Sequence, residues 1–151
     1  MAMQQWMRVQ HSDVFPKGAF LKSGPDGPVT PVADFKANLR ADGSRPQQLD
    51  KETGLPLWQV TVLDADEDAG KKDTALTVKF AAKVRPVPPE NTTPFPWTPV
   101  EFVGLVAMPY VDDSAQRVEN GQIVGRPRVT WTFRANDMVA PGQAGKPKAA
   151  A

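Results

Sequence analysis

Three carboxylates near the middle of the chain occupy alternate positions, as the first three ligands of a calcium-binding loop do: Asp64, Asp66 and Asp68. The rest of that pattern is absent, because Ala69 replaces the required glycine and Ala75 replaces the bidentate glutamate. Lys71 and Lys72 would also repel a cation. We therefore predict that this acidic stretch is the solvated tip of a β-hairpin, and we expect no metal or other cofactor.

The side chains that covalent catalysis requires are few. His11 is the only histidine, it lies in a polar segment near Asp13, and the chain has no cysteine. The serines fall in apparent turns and lack the strand-to-helix elbow of an activated nucleophile: Ser12, Ser23, Ser44 and Ser114. No glycine-rich phosphate loop precedes a helix. We expect a protein that is not an enzyme.

Positive charge is segregated from negative charge in two segments. Residues 74–89 and 121–136 each contain three basic residues and no acidic one: Lys79, Lys83 and Arg85 in the first, and Arg126, Arg128 and Arg134 in the second. On strands these side chains would point outward, where they could contact a phosphate backbone. We expect Trp97 and Tyr110 to be exposed and to stack on bases. Alternatively, because the net charge is only +1, the basic residues merely solvate a sheet face and protect its edges.

Strands must position these side chains, and alternation of apolar and polar residues predicts about five of them. The first covers 18–23, and the third covers 75–84 with its even-numbered residues inward. The fourth, "VEFVGLVAMPYV", is apolar on both faces and contains Gly104 as a bulge or bend. The second and fifth strands direct two apolar sets inward: Trp58, Val60 and Val62, and then Val129, Trp131 and Phe133. Gly54 in the turn "KETG" is predicted to have a positive φ.

Two other segments are irregular. Residues 85–99 contain six prolines and can be neither a helix nor a central strand. We favour a rigid crossover with Phe95 and Trp97 packed on the domain, and a polyproline II ligand for an aromatic groove is the alternative. Residues 29–46 form a loop with at most one helical turn, since Val32, Phe35 and Leu39 have helical spacing.

These elements predict an all-β fold: a small five-stranded barrel of the oligonucleotide/oligosaccharide-binding type, with a long proline-rich connector and at most one short helix. A β-sandwich is the alternative. We expect a flexible segment over 1–13, one domain over 14–138 and a disordered tail over 139–151. The start "MAMQQWMRVQ" does not resemble a signal peptide, so we expect a cytoplasmic protein that does not contact a membrane.

Several blocks of the chain resemble a known family: "VFPKGAF", "VADF", "DKETGLPLWQVTVLDAD", "TVKFAAKVRPVPP", "FPWTPVEFVGLVAMPYV" and "TWTFRA". They are similar to the plasmid replication, integration and excision activators of actinobacterial plasmids and integrative elements. The resemblance extends over about 14–138, and none of its blocks is a catalytic motif. It implies a non-enzymatic regulatory protein of a mobile element.

Two functions fit these observations. The first is binding of DNA, preferably single-stranded, through an outward basic face that supports replication, integration or excision. The second is an adaptor that recruits a replication or recombination protein through its connector or an edge strand, without binding DNA itself.

Overall fold

The computed structural model describes residues 4–71 and 73–144, which form eleven strands and one short helix. In chain order the strands are β1 (Met7–Arg8), β2 (Ala19–Lys22), β3 (Val29–Pro31), β4 (Leu57–Asp64), β5 (Ala75–Ala81), β6 (Thr98–Val103), β7 (Val106–Asp112), β8 (Arg117–Glu119), β9 (Gln122–Val124), β10 (Arg128–Arg134) and β11 (Asp137–Val139). The longest strands are β4, β5, β6, β7 and β10. The helix α1 is a single turn, His11–Val14. The all-β prediction is confirmed.

Nine of the strands join in one sheet, with the order β1-β7-β10-β5-β4-β2-β6-β11 and with β3 added beside β4. The pairings recorded for the described strands do not close this sheet on itself. Every adjacent pair is antiparallel except β5 and β10, which run parallel. Strands β8 and β9 form a separate two-stranded hairpin. The five predicted strands correspond to β2, β4, β5, β6 together with β7, and β10.

One apolar core lies on the inward face of the long strands. Alternate residues of β4 and β5 supply its centre, with Val60, Val62 and Val78 at most 1% exposed. Leu21 enters from β2, and Phe102 and Phe133 enter from β6 and β10. Because side chains on a strand alternate between its faces, the residues between these core positions point outward. The prediction that Val60, Val62 and Phe133 are inward is confirmed, and Trp58 is half-buried against the core.

The alternation predicted for β10 is wrong over its first half. Phe133 lies opposite Ala107 of β7, and both are buried. Val129 and Trp131 have the same parity but are 67% and 45% exposed. They are exposed because β7 and β10 extend past the other strands as a two-stranded projection, residues 108–132, which we call the arm. The β8–β9 hairpin lies within it.

The chain bends at Gly104, which lies between β6 and β7. Its φ is +66°, in the left-handed region that favours glycine, and a side chain there would overlap the Asn136 amide. The predicted bend at Gly104 is confirmed. Beyond it, β7 pairs with β1 at Val106 and Ala107, and among the described strands no ladder with β1 continues past Ala107.

Several segments outside the long strands differ from the predictions. Residues 29–46 begin with β3 and continue as a loop, within the prediction of at most one helical turn, but Phe35 and Leu39 are exposed. The third strand ends at Ala81, before the predicted Val84, which is 73% exposed. Within the segment 1–13, Met7–Arg8 pair with β7 and the helix begins at His11.

The tail predicted to begin at residue 139 overlaps the last strand. Val139 lies in β11, and the Gly142 amide donates a hydrogen bond of 2.8 Å to the Glu101 carboxylate. The rest of that predicted tail, 145–151, lies outside the described residues. No helix in the described part of the chain is long and apolar enough to cross a membrane.

Candidate nucleic-acid interface

A row of polar and basic residues crosses the outward face of the sheet in one register. Successive strand pairings place opposite one another Thr30, Gln59, Lys79, Arg134, Val106 and Arg8. Neighbouring strands lie about 4.8 Å apart, so the six positions span roughly 24 Å. The row contains three cations and no carboxylate. Arg8 was not among the residues predicted from the sequence, because the segment 1–13 was placed outside the domain.

Threonines flank this row on the same face. Thr61 lies opposite Thr77 across the β4–β5 pair, and both are exposed. Thr132 and Thr130 follow at alternate positions of β10 and are half-buried. No outward position of β4, β5 or β10 carries an acidic residue, and these three strands are fully described. These outward positions therefore carry no negative charge, and Lys79 stands among short threonine side chains, which suits close approach of a phosphodiester chain.

Arg134 is also part of the structural framework. One of its guanidinium nitrogens donates a 2.8 Å hydrogen bond to the carboxylate of Asp50, which is 5% exposed. The guanidinium carbon lies 4.8 Å from the centre of the Trp6 ring, a cation–π distance. The Arg134 Nε is buried and has no hydrogen-bond partner among the described residues. The guanidinium is thus paired with Asp50 and packed on Trp6, so we expect Arg134 to stabilise the turn at Asp50 and not to contact a phosphate.

Asp50, which was not predicted as functional or structural, organises the turn that follows it. Its carboxylate accepts hydrogen bonds from the Thr53 hydroxyl at 2.7 Å and the Thr53 amide at 3.2 Å. These bonds, followed by the one from Arg134, hold the pKa of Asp50 below its usual value. Gly54 closes the turn with φ +74°, as predicted. The signal for a buried carboxylate was weak, because its partner Arg134 lies 84 positions away.

The remaining predicted cations separate into two groups. Lys83 and Arg85 lie beyond the end of β5, both exposed, and the Arg85 guanidinium lies 5.3 Å from the centre of the Trp58 ring. Arg126 and Arg128 lie on the arm, roughly 20 Å from Arg134 along β10 for the six residues that separate 128 from 134. Arg128 is balanced by Asp73 at 3.7 Å and Asp112 at 3.8 Å. Only Lys79 and Arg134 of the predicted set are direct neighbours.

The two predicted stacking residues are both exposed, Trp97 by 48% and Tyr110 by 47%. Leu21 pairs with Thr98, so continuing the register by one residue sets Trp97 beside Lys22 at the β2–β6 side of the outward face. Tyr110 lies opposite Thr130, an outward position of β10. Trp97 and Tyr110 therefore belong to the same face, at opposite sides of it.

Trp131 is a third exposed aromatic residue, which the alternation of β10 assigned to the core. It lies opposite Pro109 on the other face of the arm from Tyr110. The exposure of Trp131 depends on how far the strands beside β10 extend, which the alternation within β10 does not show. Strand β10 has seven residues, and its parallel pairing with β5 is limited to Phe133 and Arg134, so β5 does not extend beneath the first half of β10.

The acidic stretch forms the loop between β4 and β5, as predicted for a hairpin tip. The Asp64 carboxylate accepts a hydrogen bond from the Asp66 amide, and the Asp66 carboxylate accepts one from the Asp68 amide. These local bonds use the carboxylates to shape the turn. Within residues 4–71 and 73–144, no group of three or more His, Asp or Glu side chains could hold a metal ion.

The histidine is structural in its contacts. The His11 Nδ1 accepts a 3.1 Å hydrogen bond from the Phe102 amide, and the ring packs 5.2 Å from the Phe15 ring. Burial lowers the pKa of His11, and the negative charge of Glu101 opposes that change. A groove of about 820 Å³ runs past these residues. Its four charged side chains cancel, since Arg8 and Arg134 face Asp50 and Glu101.

Comparison with known proteins adds no family to this description. The chain matches no protein-family model, and the searches of curated proteins and of solved structures gave no match. The likeness to activators of plasmid replication, integration and excision therefore rests on the sequence blocks alone.

Proposed function

We propose that the strands of the large sheet close into a small five-stranded barrel. Strands β6 and β7 are separated only by Gly104 and Leu105, and they pair with β2 and β10 respectively. Treated as one bent strand, they bring the order β2-β4-β5-β10 back to β2. The parallel β5–β10 pair and the shared core of all these strands support this topology, which is that of oligonucleotide/oligosaccharide-binding barrels.

We propose that this protein binds single-stranded nucleic acid, preferably DNA, on the outward face of that barrel. The carrying observation is the register row that sets Lys79 between Arg134 and Gln59, with Arg8 at one end and no carboxylate among the outward residues of β4, β5 and β10. Phosphates would contact Lys79, Arg8 and Lys22, and bases would stack on Trp97 and Tyr110. Arg134 lies within this row, and its charge is paired with that of Asp50.

Binding of this kind needs no covalent chemistry and no cofactor. It suits an accessory protein of a plasmid or integrative element, acting in the cytoplasm where replication, integration or excision exposes single strands. That context comes from the sequence resemblance alone, and the charge arrangement supports only the binding of nucleic acid. A threonine-rich face with aromatic residues at its sides accepts bases without reading their edges, so we expect little sequence preference.

A titration of the full chain with a fluorescently labelled single-stranded oligonucleotide tests the proposal. Binding is expected at low salt, and it should weaken linearly on a log–log plot as salt rises, because phosphate contacts release counterions. Lys79→Gln should reduce the salt slope by about 0.7, the loss of one phosphate contact on a single strand. Trp97→Ala and Tyr110→Ala should weaken binding by roughly 1–3 kcal/mol each.

Lys36→Gln is the matched control. Lys36 is an exposed lysine in the loop between β3 and β4, away from the outward row. If the chain does not bind at low salt, or if Lys79→Gln and Lys36→Gln change binding equally, the proposal is wrong.

A further inference from the structure

The connector between β5 and β6 is unusually open for a segment inside a domain. Residues 84–97 belong to no strand or helix, and no backbone hydrogen bond joins them to another part of the described chain. Their apolar side chains are exposed, including Val87 by 74% and Phe95 by 66%. The prediction that Phe95 and Trp97 pack on the domain is therefore wrong. An exposed apolar segment of this kind is typical of an interaction surface.

The sequence of 83–90, "KVRPVPPE", restricts the backbone to one conformation. Pro86, Pro88 and Pro89 fix their own φ near −65°. Each proline also forces the residue before it, here Arg85, Val87 and Pro88, into the extended or polyproline II region. Polyproline II has three residues per turn and leaves its backbone groups unbonded, which matches the missing hydrogen bonds. Such a segment is ordered before binding and loses little entropy when it docks.

Lys83 and Val84 lie in a bend, and the part of the segment that proline restricts begins at Arg85. On a polyproline II helix over 85–91, Val87 and Glu90 lie on one ridge, and both are exposed. Arg85, Pro88 and Asn91 lie on a second ridge, where Arg85 stacks on Trp58 and the other two are half-buried. The second ridge therefore faces the domain, and the first faces away from it.

The third ridge carries a recognisable arrangement. The exposed Lys83 lies in the bend that precedes this ridge, and Pro86 and Pro89 follow at steps of three, each half-buried. Grooves that bind polyproline II helices contact two of the three ridges, with pockets for proline and an acidic group for a flanking cation. Here the exposed ridge carries Val87 and Glu90, and the ridge beside it carries the half-buried Pro86 and Pro89 with Lys83 before them. The segment is held to the domain just before Lys83, at Ala82, whose carbonyl accepts a 3.0 Å hydrogen bond from the Trp58 indole.

We propose that residues 83–90 are a docking segment for a partner protein with an aromatic-lined, polyproline-binding groove that has a carboxylate near the Lys83 end. The basic residues Lys83 and Arg85 then have different tasks, Lys83 to meet that carboxylate and Arg85 to hold the segment against Trp58. This task is independent of nucleic-acid binding on the outward face, and it gives Lys83 and Arg85 roles other than the phosphate contacts predicted from the sequence.

The test uses the full chain and a panel of purified SH3, WW and EVH1 domains, with affinity measured by calorimetry. At least one domain should bind the wild-type chain, and Pro86→Ala/Pro89→Ala should weaken that binding about tenfold, a change of about 1.4 kcal/mol. Lys83→Glu should weaken it as well, and more at low salt than at high salt.

Exposed side chains supply a variant that leaves folding intact. Val84→Ser/Val87→Ser changes residues that are 73% and 74% exposed, and it should weaken binding. Val118→Ser/Ile123→Ser, at 72% exposure each on the arm, is the matched control and should not. If no domain of the panel binds the wild-type chain, or if the proline and valine variants bind as well as it does, the inference is wrong. Oligonucleotide binding should be unchanged by Val84→Ser/Val87→Ser, which separates this inference from the proposed function.

Discussion

The two halves of the β7–β10 pair have the same alternation and opposite surroundings. Near Gly104, Ala107 and Phe133 lie opposite each other and are buried under β5 and β6 residues. On the arm, Val111 and Val129 also lie opposite each other, yet they are 65% and 67% exposed. The apolar face is continuous along the ribbon, and the core beneath it is not. Alternation therefore tells which face of a strand is apolar, and the lengths of the neighbouring strands decide whether that face is covered.

The largest difference between the halves should appear when an aromatic residue is removed from each. Phe133→Ala should lower the free energy of unfolding by about 3–5 kcal/mol, because it leaves a cavity in the core. Trp131→Ala should lower it by less than about 1 kcal/mol, because the side chain has little packing to lose. Urea unfolding with a constant m-value measures both. Equal losses would mean that the arm face is covered in solution.

The ion pairs at the two ends of β10 should differ in the same direction. Asp50→Asn leaves Arg134 opposite a neutral group and removes a buried charge-assisted hydrogen bond, so we expect a loss of about 2 kcal/mol. Arg128→Gln breaks two pairs of 3.7 and 3.8 Å at the surface and should cost less than about 0.5 kcal/mol.

Acid should reproduce the Asp50 result in the wild-type chain. The folded pKa of Asp50 is lowered, so its contribution is present above the ordinary value of 3.8 and is lost as the pH falls through the folded pKa. Asp50→Asn should show a flatter acid limb in a plot of stability against pH. If stability falls with pH equally in both proteins, the Asp50 carboxylate does not accept the hydrogen bonds from Thr53 and Arg134 in solution.

A smaller effect is expected from His11, which packs against β6 on the core side of the molecule. Its pKa is lowered by burial, so the unfolded chain takes up a proton first as the pH falls below 6.5. Stability should be complete above that pH and should decline as the pH falls through the folded pKa, when protonation of Nδ1 breaks the bond from the Phe102 amide. His11→Gln should remove this slope between neutral pH and the onset of the Asp50 effect, as measured by thermal unfolding.

The smallest effect should come from the exposed valines. Val111→Ser/Val129→Ser should change the free energy of unfolding by less than about 0.5 kcal/mol and should increase solubility, since it removes exposed apolar surface without opening a cavity. Light scattering against concentration gives the solubility, and urea unfolding gives the stability. A loss of several kcal/mol would overturn the distinction between the two halves.

The sequence was sufficient for the elements whose signal is local. The alternation of Val60, Val62 and Val78, the bend at Gly104 and the positive φ of Gly54 all depend on neighbouring residues, and each was predicted. Trp131 and Val129 were assigned to the core because their environment depends on where other strands end. The row through Arg8, Arg134 and Lys79 depends on pairings between distant segments, so only its members could be proposed, and Arg8 and Asp50 were missed.

Pro109 has a consequence for how molecules of this protein meet at high concentration. The Leu105 carbonyl accepts a hydrogen bond from the Val9 amide, so alternate residues of β7, including Pro109, direct their backbone groups to the side away from β10. At that open side Pro109 offers a carbonyl and no N–H, and an incoming strand would find its ladder interrupted. Two molecules can therefore associate through the apolar faces of their arms, but Pro109 disfavours edge-to-edge strand pairing between them. Concentrated solutions should accordingly give reversible association and not fibres.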